Sequence, residues 1–144
     1  MEITKHIEGF EKVLAALGFW PSFHDAEIIS FAVSRALPLE SGVSAANLTV
    51  HVRQYAEVGA GTAEYQLAIV KSILVNFIFN GVLDLSISEF NHQNVINSIT
   101  FKKTEFQGAP SISVDIESIW GFGGWLQCNS VAVESVEELP IVQA

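Results

Sequence analysis

Apolar residues in the first part of the chain recur at helical spacing. Charged residues fall largely between these positions, so the pattern predicts one amphipathic helix of about four turns. Gly18 stands where a left-handed C-terminal cap belongs, and Pro21 follows soon after it. We expect the helix to end there and to lie with its apolar stripe on a sheet. The apolar positions are Ile3, Ile7, Phe10, Val13, Leu14 and Leu17.

Beyond the helix, apolar and polar residues alternate with a period of two, which is typical of strands that are buried on one side. Residues 67–79 are apolar on both faces for much of their length, so we expect them to be central in the sheet. The other strand-like segments are residues 27–35, 47–57, 82–88, 97–106, 111–117 and 126–133.

The segments between these strands carry turn signals. Asn80-Gly81 predicts a tight hairpin turn, after which Leu83, Leu85 and Ile87 would point inward. Ser22 and Asp25 have the spacing of a capping box, which predicts a single helical turn. The remaining connections are a loop at 36–46, turns at 59–62 and 107–110, a short helix or irregular turn at 89–96, a flexible aromatic loop at 120–125, and a loose acidic tail at 134–144.

The order of the elements is therefore one helix followed by about seven strands at hairpin-like spacing. No long helical crossover interrupts the strands, so the sheet should be mainly antiparallel. We predict an α+β fold in which the N-terminal helix packs on this sheet. The length of 144 residues suits a single domain, 1–144.

Composition restricts the class of partner. Hydrophobic residues make up 49% of the chain, so some surface should be apolar and a homo-oligomer is compatible with it. The formal net charge of −9 repels phosphate backbones and anionic lipids, which argues against nucleic-acid and membrane-surface binding. The same charge either attracts a basic partner or simply keeps the protein in solution.

Cysteine usage points to a reducing compartment. Cys128 is the only cysteine, so neither an intrachain disulfide nor a cysteine metal cage can form. The N-terminus is polar and lacks the apolar core of a signal peptide. We therefore expect a cytoplasmic protein, with Cys128 as an unreactive core residue on a strand.

Metal binding and catalysis are the chemical alternatives. The possible ligands show neither H-E-x-x-H nor H-x-H spacing, so we expect no metal and no cofactor. Asp25 and Glu27 lie two residues apart with His24 beside them, which leaves a small hydrolase or metal-dependent enzyme around these three as the alternative function. The chain has no nucleophile elbow, no phosphate-binding loop and no dinucleotide fingerprint. The possible ligands are His24, Asp25, Glu27, His51 and His92.

Large aromatic residues in predicted loops indicate a binding surface. Tryptophan in a loop either fills the core or anchors an interface. Trp20 and Phe23 directly follow the helix cap, so filling the core is favoured for them. Trp120 has glycine neighbours, and both interpretations stay open. Asn91 could equally cap a local turn or bond to a partner.

Residues 20–27 (W-P-S-F-H-D-A-E), followed by an alternating strand, resemble the Immunity protein 50 family of bacterial polymorphic toxin systems. Residues 90–95 (F-N-H-Q-N-V) and the glycine-rich turn before the strand of Cys128 are similar too. The resemblance implies a small α+β protein that binds a cognate toxin domain, blocks it and performs no chemistry itself. It brings no catalytic residue with it.

A basic toxin domain is the partner that the net charge favours. Carboxylates and aromatic side chains on one sheet face or its loops would then occupy the toxin. The predicted contact residues are Trp20, His24, Asp25, Glu27, Asn91 and Trp120.

Overall fold

The computed structural model describes residues 2–38 and 44–141, and it is mostly sheet with one short N-terminal α-helix. A 3-10 helix (Glu2–His6) precedes the α-helix α1 (Phe10–Leu17). Within the described residues there are seven strands: β1 (Ile7–Glu8), β2 (Glu27–Arg35), β3 (Ser44–Val58), β4 (Gln66–Ser88), β5 (Val95–Phe106), β6 (Ala109–Trp120) and β7 (Gly123–Glu138).

The strands form one sheet that closes on itself. Their order is β1-β7-β4-β3-β2-β5-β6, and β6 pairs with β7 as well. Every pairing is antiparallel except that of β1 with β7, so the predicted mainly antiparallel sheet is confirmed. The junction of β2 with β5 is the narrowest, because only Glu27 and Val95 are paired there.

The core lies on the inner side of this closed sheet. Leu48, Val50 and Val52 of β3 are buried there, as the alternation of the sequence predicted. Val13 and Leu17 bring α1 into the same core, against β7 and β4. The N-terminal segment therefore covers the inner side and leaves the outer side of β3 and β4 without a helix.

The predicted four-turn helix is wrong in its first half. Ile7 and Glu8 pair instead with β7 as a two-residue strand. Gly9 then takes a left-handed conformation (φ 78°), and a Cβ at this position would collide with the carbonyl oxygen of Val133. The α-helix starts only after this residue. Its predicted end is confirmed, because the N–H of left-handed Gly18 donates to the Leu14 carbonyl at 2.7 Å.

The predicted hairpin at Asn80-Gly81 is also wrong, because β4 continues through it for 23 residues. Gly81 has the positive φ of a turn residue (65°), but here it lies next to a register shift between β4 and β7. The partner strand β7 runs alongside on both sides of Gly81, so the backbone bends without reversing. Leu83, predicted inward, is exposed, whereas Leu85 and Ile87 pack on the core.

Two segments that the sequence predicted to be irregular belong largely to strands. The prediction of a flexible aromatic loop at 120–125 is wrong, because only Gly121 and buried Phe122 separate β6 from β7. The loose tail is wrong for residues 134–138, which belong to β7 and pair with β4. The Leu139 N–H also donates to the Ser72 carbonyl at 2.8 Å. Residues 142–144 of the predicted tail and 39–43 of the predicted loop lie outside the described part of the chain.

Candidate functional site

The segment between α1 and β2, residues 19–26, is called the hinge. Trp20 of the hinge is half-buried and meets three phenylalanine rings edge-on. The ring centroids lie 5.8 Å from Phe23, 6.3 Å from Phe77 and 6.1 Å from Phe101. Phe23 itself is fully buried. The prediction that these two residues fill the core is therefore confirmed, and Trp20 is not presented to a partner as an exposed anchor.

The backbone of the hinge turns twice through left-handed conformations. Phe23 has φ 69° and Asp25 has φ 65°, so the predicted helical turn from Ser22 is wrong. The Ser22 hydroxyl accepts from the His24 N–H at 3.3 Å, and the Asp25 N–H donates to the Ile96 carbonyl at 2.9 Å. The chain is thereby directed from α1 toward β5 before it enters β2.

This turn exposes the side chains of His24 and Asp25. The imidazole Nδ1 lies 3.2 Å from the Asp25 Oδ2, and both side chains are more than half exposed. An ion pair at this exposure contributes little to stability. The two groups are therefore available to contact another molecule.

Glu27, the first residue of β2, belongs to a polar network that crosses three strands. Its Oε1 accepts from Arg53 Nη2 at 2.5 Å and lies 3.5 Å from His51 Nδ1. The other imidazole nitrogen of His51, Nε2, is 2.7 Å from the Ser72 hydroxyl. His51 and Arg53 are neighbours on one face of β3 because they are two residues apart in an extended strand. The network fixes Glu27 on the outer side of the sheet.

The turn that leads into β5 is held by two asparagines. Asn91 Oδ1 accepts from the N–H groups of Gln93 and Asn94, each at 2.8 Å. A second hydrogen bond joins the same two residues, since the Oδ1 of buried Asn94 accepts from the Asn91 N–H at 2.7 Å. Of the two predicted roles of Asn91, the structure therefore shows the turn-capping one.

Trp120 ends β6 and is the aromatic residue of the predicted set that reaches solvent. Half of its surface is exposed, and its ring meets His92 edge-on with centroids 5.0 Å apart. Phe90 is exposed close by and packs edge-on against buried Phe122 at 6.4 Å. Exposed aromatic residues held by a rigid turn are typical of interface anchors.

The strand register places Trp120 and the Glu27 network on one face. Trp120 is paired with Val95, Val95 with Glu27, and Glu27 with His51. Directly paired residues point to the same side of a sheet, and strands lie about 4.8 Å apart, so Glu27 and Trp120 are roughly 10 Å apart. We call these four residues the outer row. Of the predicted contacts, Glu27 and Trp120 belong to it, whereas Trp20 points into the core.

Sequence reasoning missed Arg53 and Ser72 as partners of this network. The alternation in β3 places Arg53 on the polar face, but its pairing with Glu27 depends on the register of β2 against β3. Ser72 lies within segment 67–79, whose apolar pattern indicated only a buried strand. No local motif could have indicated either contact.

The contacts among Ser72, His51 and Glu27 have the order of a hydrolytic triad, yet they do not form an accessible site. Ser72 lies inside β4 and only 9% of its surface is exposed. The carboxylate of Glu27 is shared with Arg53, and the imidazole is 3.5 Å away from it. A catalytic serine must be reached by substrate. The described residues therefore give the hydrolase alternative around His24, Asp25 and Glu27 no support.

The described residues also contain no cluster of metal ligands and no exposed thiol. Among residues 2–38 and 44–141, no group of three or more His, Cys, Asp or Glu side chains could hold a metal ion. Cys128 is fully buried on β7, and burial raises the pKa of its thiol to about 12. The predicted inert core cysteine is confirmed. No helix in the described residues is long and apolar enough to cross a membrane.

These features define a small, acidic, mainly-sheet protein with an exposed outer face. The chain matches the family described as Immunity protein 50 over residues 9–139. This match covers most of its length, so the chain belongs to that family, and the resemblance seen at residues 20–27 is confirmed. Neither a curated protein nor a solved structure matches the chain.

Proposed function

We propose that this chain is an immunity protein that neutralises a cognate bacterial toxin by binding it, in the cytoplasm of the cell that makes the toxin. It acts as a single domain, without a cofactor and without chemistry of its own. The observation that carries this proposal is the family match over residues 9–139. The engaged state of Glu27 and the burial of Ser72 support a binding role over a catalytic one.

Charge supports a basic toxin domain as the partner. The chain carries a formal net charge of −9, and an acidic surface speeds encounter with a basic one. Toxin domains that act on nucleic acid need a basic cleft to hold phosphate groups. A bound acidic protein would compete with the substrate for that cleft.

The outer row and the exposed end of the hinge are the proposed contact surface. Trp120 would supply the aromatic anchor, while His24, Asp25 and the exposed edge of Glu27 would supply polar contacts. Trp20 would act indirectly, since it holds the hinge on the core. Asn91 would do the same for the turn next to Trp120.

Co-expression of this chain with the toxic C-terminal domain encoded beside it tests the proposal. We expect the cells to survive and the two proteins to co-purify. Trp120→Ala should retain the melting temperature and weaken the complex, because the side chain is exposed. Trp20→Ala should instead lower the stability of the free protein. A folded wild-type chain that neither rescues the cells nor binds the domain would contradict the proposal.

A further inference from the structure

The hairpin of β3 and β4 extends beyond the strands that flank it. Pairing of β2 with β3 stops at Glu27 and His51, and pairing of β7 with β4 begins only at Ile73 and Glu138. Residues 54–70 therefore project as a two-stranded arm. Tyr55 is about half exposed at the base of this arm, so the arm carries apolar surface into solvent.

One edge of β3 is open along this arm. Beyond His51, β3 pairs with β4 on one side, and no described strand lies on the other side. Alternate N–H and C=O groups of a strand point to each side. The backbone from Val52 to Val58 therefore presents hydrogen-bonding groups along this edge. An open edge of this kind is a template for another strand.

A groove runs between this edge and the hinge. Phe19, Pro21 and His24 line one wall, and Arg53 and Tyr55 line the other, around a volume of 230 Å³. The groove exists because the hinge leaves the plane of β2 at Asp25 and Ala26 to bond with Ile96 of β5. Without that departure, the segment before Glu27 would continue β2 and cover the edge.

The groove is largely apolar and has no carboxylate in its lining, and its one cation, Arg53, is already paired with Glu27, whereas the arm beyond it is acidic. Phe19 and Tyr55 are each about half exposed. The only charged residues between positions 54 and 70 are Glu57 and Glu64. Glu57 is exposed on β3 and accepts a hydrogen bond from the Tyr65 hydroxyl at 3.1 Å. An extended segment that places apolar side chains in the groove and a Lys or Arg beside Glu57 of the arm matches these two surfaces.

We infer that an extended, Lys- or Arg-bearing segment of the cognate toxin adds to the open edge of β3 as a further strand, with its apolar side chains in the groove beside the hinge. This inference rests on the proposed function. Main-chain hydrogen bonds would give affinity, and alternate side chains would give specificity. A basic side chain of the segment would pair with Glu57.

A second copy of this chain fits the same edge less well. Residues 54–70 contain no Lys or Arg, so two-fold pairing of β3 with itself would bring two acidic arms together. Like charges opposite each other on neighbouring strands are destabilising. The net charge of −9 on each copy adds to that repulsion.

Two charge-reversal variants test the inference. The probe is the purified, catalytically inactivated C-terminal domain of the toxin encoded beside this chain. Glu57→Lys alters the edge, and Glu105→Lys makes the same change of charge on exposed Glu105 of β5. Both variants lose the same long-range attraction to a basic partner, but only Glu57→Lys loses a contact at the β3 edge. We therefore expect Glu57→Lys to raise Kd at least about tenfold more than Glu105→Lys. Amide hydrogen exchange at residues 52–58 should slow in the wild-type complex.

Each other outcome has a distinct meaning. If a wild-type complex forms, but both variants bind alike and residues 52–58 gain no protection, the edge is not the docking site and the proposed function still stands. If the wild-type chain forms no complex and gives no rescue, both proposals fail. If residues 52–58 become protected in the free chain as its own concentration rises, a second copy occupies the edge and the toxin segment is the wrong occupant.

Discussion

Asn94 connects three parts of the molecule through one buried side chain. Its Oδ1 accepts from the N–H groups of Asn91 and Phe122, and its Nδ2 donates to the Ile28 carbonyl at 3.1 Å. Its backbone is left-handed (φ 52°), a conformation that asparagine tolerates better than most residues. The turn before β5, the end of β6 and the start of β2 therefore depend on one amide.

Replacement of Asn94 by alanine should destabilise the protein by about 2–4 kcal/mol, because buried backbone groups lose their partner and alanine is strained at positive φ. Urea unfolding measures this change. Asn97→Ala is the matched control, since the Asn97 amide bonds to the exposed Glu117 carboxylate at 3.0 Å. We expect the control to lose less than about 0.5 kcal/mol. Equal losses in the two variants would show that the Asn94 bonds contribute nothing special.

The burial of Cys128 makes the stability of the protein depend on pH. Its thiol pKa is raised from 9.0 to about 12 by burial, so the folded state keeps the thiol protonated while the unfolded state loses the proton. The contribution of the protonated thiol to folding stability is fully present below pH 9 and is lost as the pH rises toward 12. Ellman's reagent should therefore react with native protein at pH 8 far more slowly than with urea-unfolded protein. Rapid reaction of the native protein would contradict the assigned burial.

At the scale of elements, β4 shows what one glycine does inside a long strand. Gly81 gives β4 a left-handed residue in its second half, where a Cβ would collide with the Asn129 side chain of β7. β4 pairs with β3 only up to Asn80, whereas its pairing with β7 continues past the bend from Ile73 to Ser88. The same residue in a hairpin would have reversed the chain.

Gly81→Ala should destabilise the protein by about 1–2 kcal/mol through positive φ, with a further loss from the collision with Asn129. Gly61→Ala is the control, since Gly61 also has positive φ (81°) but a Cβ there would meet nothing within 4 Å. Thermal unfolding should show the larger loss at Gly81. If Asn129→Gly in the Gly81→Ala background does not recover part of that loss, the collision is not its cause.

The elements that the sequence predicted well are those whose own pattern decides them. β2 has the predicted bounds, 27–35, and the predicted buried face of β3 is observed. The failures at Gly9, Gly81 and residues 134–138 share a different cause. At Gly9 and Gly81, contact with β7 decides the conformation, and residues 134–138 become the end of β7 because they pair with β4. In each case the deciding partner is distant in sequence.

The candidate site was predictable to the same extent. The aromatic and charged residues of the hinge and Trp120 were found because their residue types are unusual in turns. Their alignment across β2, β5 and β6 follows from the register, which no local pattern records. The open edge of β3 could not be predicted, because it depends on the register of β2 against β3 and on the bonds of the hinge to Ile96 of β5.

At the scale of the molecule, the surface of the closed sheet is acidic, and few of its carboxylates are paired with a cation. Of the four ion pairs in the described residues, two involve histidine, and the other two use Arg53 and Lys71. Most carboxylates thus have no cationic neighbour in this part of the chain. The resulting negative field extends into solvent and is screened over about 10 Å at 0.1 M salt.

The association rate with the toxin domain should therefore fall steeply with salt, by about tenfold between roughly 0.05 and 0.5 M, if the toxin is basic. Stopped-flow fluorescence of the exposed tryptophans measures this rate. Glu105→Lys combined with Glu117→Lys changes the formal net charge from −9 to −5, since each substitution removes one negative charge and adds one positive charge. The double variant should associate more slowly at low salt and converge on the wild type at high salt, while its dissociation rate stays the same. A rate that does not depend on salt would rule out electrostatic steering and leave affinity to the short-range contacts of the outer row and the β3 edge.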